Sequence, residues 1–277
     1  MNILKKVLDL LIQSNIVVAL SAGALTKITL LRFNSESDLI PLFVVFSSVL
    51  AYNYMRIMEL KKERLSWYRD WYEKNKLFFW FVNIIVAIGV LILGFIIAFK
   101  WYALLVMVPF FILTFLYVKP SIFKSDLKAL RAVPVFKILN ISFCWAGVTV
   151  LFPLVQEFGV PDKLVWVEFF ERFLFVIALT IPFDIRDVKI DSESMQTIPQ
   201  IIGVKGAKWL AILFLCLILL LDYSFFVSWH FQKVKTMVLF LFLMVLILKS
   251  NPERSRYFTS FWVESVPIIW LILILYF

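Results

Sequence analysis

"LFFWFVNIIVAIGVLILGFIIAF", residues 77–99, decides the fold. The run is longer than the about 20 apolar residues that a helix needs to cross a bilayer. Lipid offers the backbone no hydrogen-bond partner, so a spanning segment is either a helix or a strand of a closed barrel. Barrel strands alternate apolar and polar residues, whereas this run is continuous, which selects the helix. Comparable runs lie at 9–30, 39–58, 101–118, 134–155, 164–183, 208–228, 235–248 and 260–277. The chain is 62% hydrophobic, above the roughly half that is usual for a soluble domain. The expectation is an all-α polytopic membrane protein with nine transmembrane helices in a single domain over residues 1–277. Lys100 and its neighbours leave room only for a tight hairpin between the third and fourth spans. Pro109, Pro153, Pro182 and Pro267 fall in or near spans, where proline is tolerated and kinks the helix.

The net charge of +9 sits in the segments between these runs. That placement is topological and argues against a nucleic-acid partner. Lys and Arg crowd the segments 59–76, 119–133, 184–207 and 249–257, while the alternate connections hold only Arg32, Lys100, Lys163, Lys233 and Lys235. The excess of positive charge marks the cytoplasmic side. The N-terminus is therefore expected inside and the C-terminus outside, in a bacterial inner membrane. Lys5 and Lys6 precede the first run without a small-residue cleavage site, so that run reads as a retained helix. Cys144 and Cys216 both lie in apolar runs and read as small buried hydrophobes, and the single His230 excludes a histidine-based zinc cluster. The polar chemistry gathers in the cytoplasmic segments, where a site is expected.

"FDIRDVKIDSES", residues 183–194, closes the sixth apolar run. Continued as a helix, it sets Asp184, Asp187 and Asp191 at i, i+3 and i+7, on one face. Three like charges on one stripe call for a cation. Mg²⁺ prefers carboxylate oxygens and completes its shell with water and substrate phosphates. The spacing thus suits a Mg²⁺–diphosphate site at a membrane mouth. It equally suits a solvated helix end with Arg186 and Lys189 as surface partners.

The stretch "DIRDVKIDSESMQTIPQIIGVKGAKWL" resembles the second aspartate-rich motif of the UbiA family of intramembrane prenyltransferases. The shared elements are Asp184, Asp187, Asp191, Thr197, Pro199 and Gly203. The Asp-Ile-Arg-Asp form is most similar to the branch that prenylates naphthoate- or homogentisate-type aromatic acids. The family has nine transmembrane helices, in line with the count above. A second similarity is "RAVPVFKILN", in which Lys137 matches a family lysine near the start of the fifth span. The resemblance implies that Asp184, Asp187 and Asp191 are catalytic and hold Mg²⁺. It implies that Lys137 contacts diphosphate, with Arg131 and Lys124 as further candidates. Ordinary positive charge on the cytoplasmic side accounts for these cations as well.

The family's first motif, Asn-x-x-x-Asp-x-x-x-Asp, falls on "YNYMRIMELKKER". Asn53 fits, but Ile57 and Lys61 stand at the aspartate positions. Glu59 and Glu63 are two residues out of phase, roughly 200° around a helix. Asn53 and Arg56 share a face, and a guanidinium binds phosphate bidentately. Arg56 therefore suits the place of one metal ion on the diphosphate, and Asn53 a role in orienting metal or phosphate. The plain reading of Arg56 is a side chain reaching the interface or pairing with Glu59. Glu171–Arg172 reads as a packed polar contact near the outer end of the sixth span, and Glu264 stays open between packing and function. Aromatic residues, 18% of the chain, suit either a prenyl cation or lipid contact. The expected activity is Mg²⁺-dependent transfer of a prenyl group from an isoprenyl diphosphate to a lipophilic, aromatic acceptor. A terpene cyclase on the same fold and a non-catalytic isoprenoid- or lipid-binding scaffold are the rivals.

Overall fold

Every one of the nine apolar runs overlaps a helix in the computed structural model, which describes residues 3–60, 66–118, 135–191, 196–226 and 230–277. Among the described residues there is no strand. The helices are α1 (Ile3–Gln13), α2 (Ile16–Arg32), α3 (Leu39–Leu60), α4 (Ser66–Lys74), α5 (Lys76–Ile97) and α6 (Trp101–Val118). They continue as α7 (Phe136–Phe158), α8 (Lys163–Asp187), α9 (Ile198–Phe225), α10 (His230–Lys249) and α11 (Phe258–Tyr276). By length and apolarity, five of them can cross a membrane: α3, α5, α7, α9 and α11. The bent pair α1 and α2 makes a sixth if it is one span. The nine expected spans thus fall on ten helices, the first of them on both α1 and α2, and five to six crossings meet the test. Helix α8, at 25 residues, has the length, but it carries Glu168, Glu171 and Arg172 in one half and Asp184, Arg186 and Asp187 in the other.

The first run is not one straight helix. Asn15 adopts a left-handed conformation (φ 59) and turns α1 by 66° from α2. Asparagine visits that region more easily than most residues because its short polar side chain bonds locally. Beyond the elbow, α2 is buried nearly all round and feeds three clusters. Leu25 and Ile28 pack with α8 to α11, Ala22 and Leu30 with α3, α6 and α7, and Ala19 with α3 and α5. Small residues make this possible by letting backbones approach. A Cβ on Gly23 would stand 2.3 Å from Val45 Cγ2 and 3.2 Å from the Pro41 carbonyl of α3.

Apolar side chains cover the outside, and polar ones are enclosed among the apolar clusters inside. On α5, Leu77 and Phe95 are 89% exposed, while Ser21, Thr29 and Asn53 are fully buried within the bundle. This distribution suits a protein whose surround is lipid, which supplies no hydrogen bonds. Two expectations change. Cys216 lies on the exposed face of α9 and is not buried. Glu171 and Arg172, adjacent in the chain, do not pair with each other, because neighbours on a helix point in different directions. Arg172 binds Glu168 one turn back at 2.9 Å, and Glu171 binds Arg32 of α2 at 2.7 Å.

Close approach at Gly23 makes a direct test. Gly23→Ala should destabilise the detergent-solubilised protein by about 1–3 kcal/mol, the usual cost of overpacking. Gly94→Ala, whose Cβ would meet only Phe99 at 3.6 Å, should leave the melting curve unchanged or raise its midpoint.

Candidate functional site

Helix α8 starts where the Asp162 carboxylate caps it, accepting from the Val165 N–H at 2.9 Å. It runs on through Pro182, which lacks an N–H for the helical ladder, and ends at Asp187. The N–H groups of Ile190 and Asp191 both return to the Asp187 carbonyl at 2.8 Å. The chain thus makes one further turn instead of running on, and Asp191 swings back toward Asp184.

Across from this end, Lys137 stands in the first turn of α7. Its Nζ lies 3.1 Å from Asp184 Oδ1 and 3.4 Å from Asp191 Oδ2. Asp184 is buried at 1% exposure, so its ionic partner matters. Two of the three expected carboxylates therefore converge on one point, with an ammonium between them. Asp187 is turned aside. The Arg186 guanidinium grips it through two bonds of 2.8 Å, to Oδ1 and Oδ2. The same guanidinium donates to Thr259 Oγ1 at 2.6 Å and Ser260 Oγ at 3.3 Å, tying α8 to the start of α11.

The residues after Asp191 fix its position. Gln200 Oε1 accepts from the Thr197 N–H at 2.8 Å, and Gln200 Nε2 donates to the Asp191 carbonyl at 3.2 Å. Pro199 fits the first turn of α9, where no intrahelical N–H is needed. Gly203 breaks α9 at φ 73, ψ 164, a region that a side chain disfavours. The Val135 N–H donates to the Gln196 carbonyl at 3.2 Å, which joins the starts of α7 and α9.

The first-motif residues stand differently. Asn53 is fully buried in a ladder of amides: it accepts from Asn15 Nδ2 at 2.8 Å and donates to Asn83 Oδ1 at 3.2 Å. That ladder joins α2, α3 and α5, and neither aspartate of the Lys137 pair takes part in it. Arg56 has its guanidinium 5.3 Å from the Tyr68 ring centroid and lies within electrostatic reach of Glu264. Arg256 lies within reach of Arg186, Asp187 and Arg56, and its pKa is lowered by partial burial and then by Arg186. Arg186, expected as a surface partner of this helix end, does pair with Asp187, and Arg256 is the member that spacing did not single out. Arg131 and Lys124 lie outside the described residues.

Helices α1 and α4 flank this end. Tyr257, next to Arg256, donates its hydroxyl to the Asp9 carboxylate of α1, and Tyr68 of α4 donates to the Gln13 carbonyl at 3.3 Å. Burial, followed by the Asp9 contact, pushes the Tyr257 phenol up to about 12 and keeps it a donor.

Among the described residues no three His, Cys, Asp or Glu side chains converge as a metal cage. Mg²⁺ does not need one. It is commonly held by one or two carboxylates, with phosphate and water completing the shell. Asp184 and Asp191 are such a pair in donor chemistry, with Lys137 as the cation between them here. No family model, curated protein or solved structure matches this chain.

The Lys137 contact is testable through stability. Lys137→Met should destabilise the protein by about 1–3 kcal/mol. That is less than the ~3–5 kcal/mol of a fully buried pair, because Lys137 keeps some exposure. Adding Asp184→Asn should recover part of the loss, and a double-mutant cycle by thermal unfolding should give a coupling of the same order. Additive losses would mean that the pair is not coupled.

Proposed function

We propose that this chain is an intramembrane prenyltransferase of the UbiA type. It would use an isoprenyl diphosphate to alkylate a lipophilic, aromatic acceptor. The observation that carries the reading is the junction of Lys137 with Asp184 and Asp191, with Asp187 next to it and Arg256 within reach of Asp187, Arg186 and Arg56. Carboxylates that suit a hard cation and fixed cations that suit phosphate share one end of an apolar bundle. In this reading the nine helices all cross the membrane, with that end and the N-terminus in the cytoplasm.

Transfer begins when the allylic C–O bond breaks and its electron pair leaves with the diphosphate. The acceptor ring then supplies the electron pair of the new C–C bond and afterwards loses a proton. Charge gathers on the diphosphate as the bond breaks, so preplaced positive charge lowers the barrier. Lys137, and Arg56 from α3, would bind the diphosphate oxygens. Asp184 and Asp191 would hold Mg²⁺, which when bound adds further positive charge at the leaving group. Arg186 keeps Asp187 fixed at the rim.

The scaffold reading keeps one supporting observation: Asn53 is committed to an amide ladder, and Ile57 and Lys61 replace the first motif's carboxylates. Mass spectrometry decides between the readings. Membranes containing the protein, given isoprenyl diphosphates and aromatic acceptors, should form a prenylated acceptor, and Asp184→Asn or Asp191→Asn should lower its yield at least tenfold. Cyclised hydrocarbon formed without acceptor would point to the cyclase. A diphosphate analogue bound without turnover of any substrate would point to the scaffold. Arg56→Ala should weaken analogue binding by ~2 kcal/mol, the scale of charged hydrogen bonds, and Arg56→Lys should restore little of it.

Orientation has its own measurement. Cysteines at Lys74 and Lys128, in a background without Cys144 and Cys216, should resist membrane-impermeant thiol reagents in intact cells. Labelling of either would reverse the topology.

A further inference from the structure

A second polar centre lies far from the aspartates, about 24 Å along α8 at 1.5 Å per residue from Glu168 to Asp184. Its charged members are Glu168, Glu171 and Arg172 of α8, Arg32 of α2 and Asp222 of α9, each at most 5% exposed or, for the Arg32 side chain, 5%. Arg32 Nη1 donates to Glu168 at 2.5 Å and to Glu171 Oε2 at 2.7 Å, and its Nη2 pairs with Asp222. Arg172 donates to Glu168 Oε1 at 2.9 Å and to Thr29 Oγ1 at 3.1 Å. From α10, Thr236 faces the centre and accepts from Trp270 of α11 at 3.2 Å. Phe226 covers Arg32, with its ring centroid 3.6 Å from the guanidinium carbon.

Among the described residues, three carboxylates meet two guanidiniums here, so the fully ionised centre would carry one buried negative charge. An unmatched buried charge is strongly disfavoured. The geometry also shows where it would fall. Both Glu168 oxygens accept charged hydrogen bonds, whereas Glu171 Oε1 has no hydrogen-bond partner among the described residues. Arg172 Nη1 is likewise unmatched, and Glu171, Arg172, Asp222 and Thr236 line a cavity at this point. A metal ion here would face two guanidiniums, and of the carboxylate oxygens it could meet, Glu171 Oε1 is the one that is fully buried without a partner. A proton needs only that oxygen.

We infer that this centre is a proton-binding site, with one proton seated on Glu171 at neutral pH. The proton balances the centre and turns the unmatched oxygen of Glu171, a residue that lines the cavity, into a hydroxyl. The inference is independent of the diphosphate reading, since no member of this centre belongs to the Lys137 site.

Infrared difference spectroscopy of the full-length protein in detergent tests it. At neutral pH the wild type minus Glu171→Gln should show one carboxylic-acid C=O band that shifts in D₂O. Asp222→Asn removes one negative charge and should abolish the same band although Glu171 remains. Asp222→Glu should leave its frequency unchanged. Absence of the band, or its persistence in Asp222→Asn, would overturn the charge balance. A frequency shift in Asp222→Glu would seat the proton on Asp222 and overturn the assignment. Should Glu171→Gln fail to fold, the two Asp222 variants and the wild type carry the test.

Discussion

Helix α2 is enclosed by other helices, so each polar group on it needs a partner inside the bundle. The rest of the structure is arranged around that constraint. At one end, Asn15 turns the chain and hands its amide to Asn53, which passes the ladder on to Asn83. At the other end, Arg32 gathers carboxylates from α8 and α9. Between them, small residues such as Ala19, Ala22 and Gly23 keep the neighbouring helices close. The same helix thus joins three apolar clusters and anchors polar contacts at both ends.

The helices were legible because an apolar run is a local property. Length and continuity identify a span without knowledge of its neighbours. The Asp184–Lys137 contact was half legible: the aspartate spacing named one side, and similarity to a family motif named the other. The remaining contacts depend on which helices become neighbours. Asn15, Asn53 and Asn83 sit in three different runs, and no spacing links them. Nor does spacing say that Arg32 and Asp222 will meet Glu168 and Glu171. Glu171–Arg172 shows the error that proximity in sequence invites, since the pair points apart. Asp187 shows another: the i, i+3, i+7 pattern put it with its fellows, but a bidentate grip from the adjacent Arg186 took precedence.

The residues following Asp191 have structural work that bears on how the motif is read. Gln200 ties the Thr197 N–H to the Asp191 carbonyl, and Gly203 permits the kink in α9. Similarity at Thr197, Pro199 and Gly203 therefore speaks first for a loop of one shape. Chemistry enters only through what that loop presents. Here it presents Asp191 to the same ammonium that holds the buried Asp184.

The two polar centres answer one difficulty differently, and the difference bears on their roles. Around Glu168 and Glu171 the charges are enclosed by Phe226, Trp270 and Phe240. Exchange of anything larger than a proton or water would require those helices to part. Around Asp184 the partner cation is a lysine on a four-carbon stem, and its side chain is 28% exposed. An ammonium with three rotatable donors on such a stem can change partners without moving backbone. The lysine that holds Asp184 keeps access to the outside and can exchange one oxygen partner for another, whereas the planar guanidiniums of Arg32 and Arg172 hold their carboxylates in fixed directions between helices.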